Sequence, residues 1–219
     1  MKDGIGDRIK RYEAVTHHML TRRVPVFIRV DGRAFHTFTK NMVKPFDTKL
    51  IEAMVVAGEK TAKEISGFKI GYHQSDEFTF MLLDTDTLET EAYFDYDLSK
   101  LVSVVAATFT AYFNKEMGGT TQVFDARAFN VPIEDAANVF IWRQRDWERN
   151  SLQMFSRTFF SQKQLHGKNR EAMHEMLYSK GENWAMLVPP LKNGTFIIST
   201  GERISEKMTY EKLNKLITL

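Results

Sequence analysis

The sequence contains no cysteine, no apolar run long enough to cross a bilayer and no stretch typical of a secretion signal. The lack of cysteine excludes disulfides, zinc sites built from thiolates and cysteine nucleophiles. The N-terminal stretch MKDGIGDRIKRYEA lacks the apolar central region of a signal peptide, and no segment approaches the roughly 20 apolar residues of a membrane helix. We therefore expect a cytoplasmic protein with no membrane contact.

The composition is that of an ordinary globular protein, with 219 residues of which 43% are hydrophobic and 26% charged. The formal net charge of +2 says little about partners, but its distribution is uneven. Residues 142–170 carry seven Lys or Arg side chains against Asp146 and Glu148. This asymmetry is consistent with a polyanion partner, but on charge alone we favour a solvated helix face.

Hydrophobic periodicity predicts an α+β fold. Helices are expected over 7–20, 47–66, 97–117 and 135–164, with a shorter helix after Gly167 and another at the C-terminus. Asp47 is expected to cap the second helix and Gly67 to end it. Strands are predicted at VFIRV, FKIGY, EFTFMLL, TQVFDARAFNVP and GTFIIST, with HQSD joining the second and third as a hairpin.

This element order matches the split βαβ, ferredoxin-like arrangement with an antiparallel sheet. We expect residues 1–135 to form the sheet-containing core together with the N-terminal helix. Residues 136–219 are expected to be mainly helical and to pack on that core as part of one compact unit.

Three acidic residues are predicted to converge at one edge of this sheet. Asp31 ends the first strand, and Asp76 and Glu77 lie in the hairpin. Converging carboxylates need protons, cationic side chains or metal ions, and their hard oxygen atoms favour Mg²⁺ or Mn²⁺. Two such ions activate an attacking hydroxyl and stabilise a leaving pyrophosphate. Asp-Gly and Gln-Ser-Asp-Glu are also common turn sequences, so the pattern alone leaves both interpretations open.

The residues after Asp31 also suit a phosphate ligand. Gly32 lets the backbone approach a ligand closely, and a short helix formed by GRAFHTF would turn its free N–H groups toward an anion. Arg33, His36 and Ser75 are candidates for additional phosphate contacts.

Six motifs occur in the order IRVDGRAFHTFTK, KPFD, GYHQSDEFTF, FDARAF, WRQRDWERNS and GKN. Together they resemble the tRNA-His guanylyltransferase family, and most closely its bacterial and archaeal-type branch of 3′–5′ RNA polymerases. The similarity runs from about Arg29 to Thr200. It implies a polymerase palm-like core and a Mg²⁺-dependent nucleotidyltransferase that adds nucleotides, typically from GTP, to the 5′ end of tRNA. It also implies ATP as the activator of 5′-monophosphate ends, and a homotetramer.

The resemblance assigns roles to residues of the matching motifs. Asp31 and Asp76 would bind two Mg²⁺ ions with the carbonyl of Gly32, and Glu77 would support catalysis beside them. The nucleotide triphosphate would lie against Asp31, Gly32, Arg33, Ala34, Phe35, His36, Ser75 and Asp76, with Arg29, Lys44 and Arg127 neutralising its charge. Asp47 would contact the base or cap its helix, and we favour the cap.

Departures from the family pattern bear on the substrate. Eukaryotic members carry a HINNLYN run where this chain has ERNSLQM, so Glu148 replaces a histidine while Asn150 keeps one asparagine; Ala126 replaces a glycine. The resemblance therefore favours refilling of 5′-truncated tRNA over strict tRNA-His recognition. The RNA contacts expected at the acceptor stem are Arg143, Arg145, Arg149, Asn150, Arg157, Lys163, Lys168 and Asn169. The alternatives are a palm-type nucleotide cyclase and a non-catalytic RNA-binding protein.

Overall fold

A computed structural model describes residues 4–218 and shows one six-stranded sheet flanked by helices. The strands are β1 (Val26–Gly32), β2 (Phe68–Gln74), β3 (Glu77–Leu82), β4 (Phe124–Asn130), β5 (Thr195–Ile198) and β6 (Arg203–Ile204). The α-helices are α1 (Ile5–Ala14), α2 (Phe35–Phe38), α3 (Thr48–Glu64), α4 (Leu98–Glu116), α5 (Ile133–Ser156), α6 (Gln162–Leu165), α7 (Arg170–Tyr178), α8 (Pro189–Asn193) and α9 (Tyr210–Thr218).

The sheet has the strand order β4-β1-β3-β2-β5-β6, and all neighbours are antiparallel. Its first four strands, with α3 and α4 as crossovers, form the split βαβ arrangement. The predicted α+β fold with an antiparallel sheet is therefore confirmed. β5 pairs with β2, so residues on both sides of position 135 build the same sheet.

Helices cover both faces of the sheet. On one face, α3 and α4 pack over apolar side chains of β1 and β3, including Val26, Ile28, Val30, Phe78 and Phe80. On the other face, α5 and α9 pack over Phe27, Ile70, Tyr72, Met81 and Phe196. Because side chains alternate along a strand, Arg29 and Asp31 of β1 point to the same face as Phe27, which is the α5 face.

A smaller apolar cluster lies at the end of α5. Leu152 and Phe155 of α5 pack against Met173 and Leu177 of α7 and against Trp184. The indole Nε1 of Trp184 donates to Ser151 Oγ at 3.1 Å. This cluster fixes α7 against α5 and so positions the basic segment that follows α5.

The predicted ends of α3 are confirmed. Asp47 is its N-cap, since the carboxylate accepts from the backbone N–H of Leu50 at 3.0 Å. Gly67, just after the helix, has φ +73°, and a Cβ there would lie 2.7 Å from the Leu83 carbonyl oxygen. A side chain at this position would therefore displace the backbone at the end of β3.

The N-terminal helix is shorter than predicted. α1 ends at Ala14, and Met19 instead makes an isolated antiparallel bridge to Asp97. Its apolar residues Ile5, Ile9 and Tyr12 are exposed, so the helical periodicity here does not mark a face buried within this chain. Across residues 4–218, none of the helices is both long and apolar enough to cross a bilayer.

Candidate active site

The end of β1 brings Asp31 between two other acidic residues. In the sheet register, Asp31 lies opposite Glu77 of β3 on one side and opposite Asp125 of β4 on the other. Directly opposed residues on neighbouring strands have Cβ atoms about 5 Å apart. The predicted convergence of Asp31 and Glu77 is therefore observed. Asp125 was not predicted, although its place in the FDAR motif was a signal that could have pointed to it.

The β2–β3 hairpin places Asp76 beside the same strand end. Gln74 pairs with Glu77, so Ser75 and Asp76 form a two-residue turn, and Ser75 has φ 52°. The backbone N–H of Gly32 donates to the Asp76 carbonyl oxygen at 3.1 Å. This bond ties the end of β1 to the turn and brings all three predicted carboxylates to one rim of the sheet.

The hairpin is held from beneath by two side chains. The His73 ring is buried, and its Nε2 donates to the Ser75 carbonyl oxygen at 3.1 Å. Burial lowers the pKa of His73 to about 4, so the ring is neutral at neutral pH. Gln74 Nε2 donates to Glu77 Oε2 at 2.8 Å, which fixes one carboxylate of the site.

The carboxylates carry negative charge that the fold does not fully neutralise. Burial, with repulsion from Asp76 and Glu77, raises the pKa of Asp31 to about 6. Burial also raises the pKa of Asp76, to which Glu77 contributes repulsion. A site that disfavours ionised carboxylates in this way fits a bound cation.

The candidate metal ligands form a small set. Within residues 4–218, no group of three or more His, Cys, Asp or Glu side chains is arranged to hold a metal ion. The predicted donors are instead two carboxylates, from Asp31 and Asp76, and the carbonyl oxygen of Gly32. This set suits Mg²⁺, which usually takes one or two protein carboxylates and completes its shell with water and phosphate oxygens. The metal roles of these residues stay predictions.

The segment after Asp31 is anchored by one aromatic ring. Phe35 starts the predicted short helix, α2, and its buried ring packs against Phe38, Phe113 and Phe124. A Cβ at Gly32 would lie 2.3 Å from this ring, so the position has no room for a side chain unless Phe35 shifts. The Phe35 side chain therefore belongs to the core, and Phe35 also lines the cavity beside the hairpin turn.

The other predicted nucleotide contacts differ in exposure. The side chains of Arg33 and His36 are exposed, and Ala34 has φ 49°. Arg127 is exposed and lies 3.9 Å from Asp125, whereas Arg29 is half-buried and its Nε has no hydrogen-bond partner. Burial lowers the pKa of Arg29. Arg29 thus places a buried, unpartnered Nε near the carboxylates, with its guanidinium 5.8 Å from the centre of the Trp142 ring.

A cavity of about 100 Å³ lies beside the hairpin turn. Its lining includes Lys44, Asp47, His73 and Ser75, together with apolar side chains such as Trp147. Asp47 faces it while capping α3 and accepting from the Val43 N–H at 3.2 Å. Lys44 Nζ donates to the Thr39 carbonyl oxygen at 2.9 Å.

The predicted RNA contacts fall into two groups. Arg145, Arg157, Lys163 and Lys168 are exposed, and Arg149 is exposed while paired with Asp146. Two predicted contacts have structural partners instead: Asn150 donates to Asp146 at 3.3 Å, and Asn169 caps α7 by accepting from the Ala172 N–H.

Arg143 does not fit the expected phosphate contact. Its side chain is only 7% exposed, and its Nη2 donates to Glu77 Oε2 and to Asp146 Oδ2. The burial contradicts a surface role, because the guanidinium faces the carboxylate cluster rather than solvent. The Arg143–Glu77 ion pair could not be predicted from the sequence, since α5 approaches β3 only in the folded chain.

An antiparallel βαββαβ sheet with carboxylates at the end of its first strand and in the next hairpin defines a palm-like nucleotidyltransferase. A sequence model of the tRNA-His guanylyltransferase family matches residues 6–132, more than half of the chain. The chain belongs to the tRNA-His guanylyltransferase family, and the resemblance predicted from its motifs is confirmed.

Known structures and relatives support this assignment. A bacterial tRNA(His) guanylyltransferase-like protein in complex with ATP superposes with a TM-score of 0.94 at 38% identity, covering 99% of this chain and 100% of the other. One in complex with GTP has a TM-score of 0.86 at 35% identity, covering 98% and 99%. The tRNA(His) guanylyltransferase of Neurospora crassa is 29% identical over 174 residues, which are 72% of this chain and 57% of that protein.

Proposed function

We propose that this protein is a Mg²⁺-dependent nucleotidyltransferase that adds nucleotides from GTP to the 5′ end of tRNA in the 3′–5′ direction. One observation carries the proposal: Asp31, Asp76 and Glu77 lie at one rim of the sheet, where Asp31 opposes Glu77 and the Gly32 N–H binds the Asp76 carbonyl. The ATP and GTP complexes of the two similar bacterial proteins support nucleoside triphosphates as the ligands.

The residues of the rim divide the work of binding and transfer. Asp31, Asp76 and the Gly32 carbonyl would hold two Mg²⁺ ions, with Glu77 beside them. Bound Mg²⁺ supplies positive charge to the triphosphate and favours the alkoxide form of the attacking 3′-hydroxyl. The backbone of residues 31–36 and Ser75 would orient the bound triphosphate. In the transfer step the 3′-hydroxyl of GTP would attack the α-phosphorus of the tRNA 5′-triphosphate, and the bond to the β-phosphate would break as pyrophosphate leaves. The triphosphate of GTP would then become the new 5′ end.

Basic side chains around the rim would neutralise the phosphates. Arg29 has an unpartnered Nε close to the carboxylates, and Arg127 of β4 lies directly opposite it in the register. Lys44 and Ser75 line the same cavity. This cavity is well placed for the nucleobase of a nucleotide whose triphosphate lies at the rim. These basic side chains would lie close to the phosphates bound at the carboxylates, where negative charge develops during transfer.

The tRNA would lie along the exposed basic surface formed by Arg145, Arg149, Arg157, Lys163 and Lys168. Glu148, at the position where eukaryotic relatives carry a histidine, is buried and pairs with Lys207 at 2.5 Å and with Arg170 at 3.6 Å. A carboxylate committed to these two cations is not free to read a tRNA feature. We therefore favour repair of 5′-truncated tRNA over strict tRNA-His maturation. The proposal includes ATP activation of 5′-monophosphate ends, a homotetramer and a cytoplasmic location, where tRNA is available.

The decisive experiment incubates the protein with GTP, Mg²⁺ and a 5′-triphosphorylated tRNA that lacks its first nucleotide. We expect a product one nucleotide longer, with G opposite a templating C, and no product after Asp31→Ala or Asp76→Ala although tRNA binding persists. Full-length tRNA-His should be the poorer substrate. A cyclic or dinucleotide product formed without RNA would instead identify a cyclase, and binding without any new product would identify a non-catalytic RNA-binding protein.

A further inference from the structure

Arg143 is the buried cation at the carboxylate rim. It lies on α5 in the sequence WRQRD, and its guanidinium packs 4.5 Å from the centre of the Trp142 ring. The same Nη2 reaches Glu77 Oε2 and, at 3.2 Å, Asp146 Oδ2. A guanidinium held between two carboxylates and an aromatic face has little rotational freedom.

Glu77 is correspondingly the most restrained of the three carboxylates. Its Oε2 accepts from Arg143 and also from Gln74 Nε2 at 2.8 Å. Glu77 also lies directly opposite Asp31 in the sheet register. Within residues 4–218, neither Asp31 nor Asp76 forms an ion pair, so Glu77 alone is paired while its neighbours are left for other ligands.

The arrangement extends along one face of α5. Asp146, one helical turn after Arg143, accepts from Arg143 on one oxygen and from the exposed Arg149 on the other. Residues three apart on a helix are neighbours, so these three side chains form a continuous row that ends at Glu77. The row links the surface that would meet RNA to the rim that would hold the nucleotide.

We propose that Arg143 is a positioning residue for nucleotidyl transfer: it fixes Glu77 beside Asp31 and makes no contact with RNA. This inference rests on the proposed function. Removing the guanidinium leaves Glu77 as a poorly compensated, mostly buried charge that is free to turn toward Asp31 or away from it. Either movement changes the shape of the rim without removing any group that binds substrate.

The test is a double-substitution cycle measured under single-turnover conditions. Arg143→Met keeps most of the side-chain length but removes the charge, and we expect it to lower the transfer rate by roughly 10- to 100-fold, the range for partners of active-site ligands. In a Glu77→Gln background the same change should lower the rate by less than about threefold, because the group through which Arg143 acts is already altered. Arg143→Lys, which keeps the charge, should recover part of the rate, and tRNA affinity should stay unchanged throughout.

The matched control is Arg22→Met. Arg22 pairs at 3.0 Å with the buried Asp84, beyond the other end of β3, so its loss also leaves a buried carboxylate without its arginine, far from the rim. The Arg22 side chain itself is more exposed than that of Arg143. We expect a lower melting temperature with an unchanged transfer rate. If Arg143→Met does not fold, Asp146→Asn replaces it, since that change loosens Arg143 without removing it and should lower the rate in the same direction.

Three outcomes overturn the proposal. Weaker tRNA binding in Arg143→Met at an unchanged rate would identify an RNA contact. An equal loss of rate with and without Glu77→Gln would show that Arg143 acts independently of Glu77. If calorimetry shows that Arg143→Met binds GTP with Mn²⁺ as the unsubstituted protein does, and the transfer rate is also unchanged, the Arg143–Glu77 pair has no effect on the rim. If the unsubstituted protein transfers no nucleotide, the proposed function fails instead, and that result is separate from all three.

Discussion

Asp31 near the end of β1 and Asp76 in the β2–β3 turn have no ion-pair partner in the described part of the chain, and burial raises the pKa of each. Folding thus brings together charges that repel one another and are only partly hydrated. Groups arranged for ligand binding commonly lower the stability of the free protein in this way.

The first residue-scale prediction concerns Asp31→Asn. Because the folded protein raises the pKa of Asp31 from 3.8 to about 6, the folded chain binds more protons than the unfolded one between these values. The destabilisation by ionised Asp31 therefore grows as pH rises from 3.8 and is complete above about 6. The substitution should raise the free energy of unfolding at pH 7.5 in EDTA by about 1 kcal/mol, a figure reduced for solvent screening of a half-exposed group. It should also lower nucleotide addition on the order of 10³-fold. Urea unfolding and product gels check the two effects, and unchanged or lower stability of Asp31→Asn would contradict the argument.

The second residue-scale prediction concerns His73. Its pKa is lowered from 6.5 to about 4, so the unfolded chain binds more protons than the folded one between these values. The stabilising contribution of neutral His73 is therefore complete above pH 6.5 and is lost as pH falls toward 4. Between pH 7 and pH 5, the unfolding free energy should fall by about 2 kcal/mol more in the unsubstituted protein than in His73→Gln. The control is His18→Gln, at an exposed position, and its stability should depend on pH as that of the unsubstituted protein does. Identical pH profiles for His73→Gln and the unsubstituted protein would show that His73 does not cause the loss of stability.

At the scale of elements, local signals predicted α3, α4 and the β2–β3 hairpin because each has strong periodicity and a turn or cap at its end. The cap of α3 is a clear example, since Asp47 accepts from the Leu50 N–H as expected from its place before an apolar repeat. The end of α1 was predicted wrongly, because the residues after Ala14 continue the apolar spacing but bend away to pair Met19 with Asp97.

The element-scale prediction separates the two roles considered for Asp47. Asp47→Ala should lower the unfolding free energy by about 1 kcal/mol, the usual value of an N-cap, while Asp47→Asn should be nearly neutral because asparagine caps equally well. Neither change should alter the KM for GTP if capping is the only role. A raised KM in Asp47→Asn, with stability retained, would show that the carboxylate contacts the base in the cavity it faces.

At the scale of the whole molecule, the proposed function assigns tRNA binding to the exposed basic segment that follows α5. Substituting Arg157, Lys163 and Lys168 with glutamine should weaken tRNA binding and lower its dependence on salt concentration. The log–log slope should fall by roughly one unit for each phosphate that the protein no longer neutralises. Filter binding at several salt concentrations measures both quantities.

A matched set on the opposite side of the sheet controls for net charge. Lys49 and Lys63 on α3 and Lys115 on α4 are exposed there. Their triple glutamine variant carries the same change in charge and should keep nearly the original affinity and slope. Equal losses in the two sets would mean that RNA responds to overall charge, and that the segment after α5 is not the binding surface.

The whole-molecule level is also where sequence reasoning reached its limit. Asp31 and Glu77 were predicted to meet because a strand end and a neighbouring hairpin follow from local pattern and a known topology. The pairing of Glu77 with Arg143 was not predicted, because it depends on how α5 crosses the sheet, which no local pattern encodes. Charge count alone placed Arg143 with the surface cations, whereas the fold buries it.

The ring of Phe35 has a consequence for substrate capture. Because it is wedged between α4 and β4, the strand-to-helix turn around Gly32 receives its shape when the core forms. Binding of a triphosphate at that turn would cost little backbone conformational entropy, because the turn is already ordered. Most of the interaction free energy would then contribute to affinity. On the proposed function, aromatic packing on the opposite face of the sheet from α5 would therefore contribute to the affinity for nucleotide.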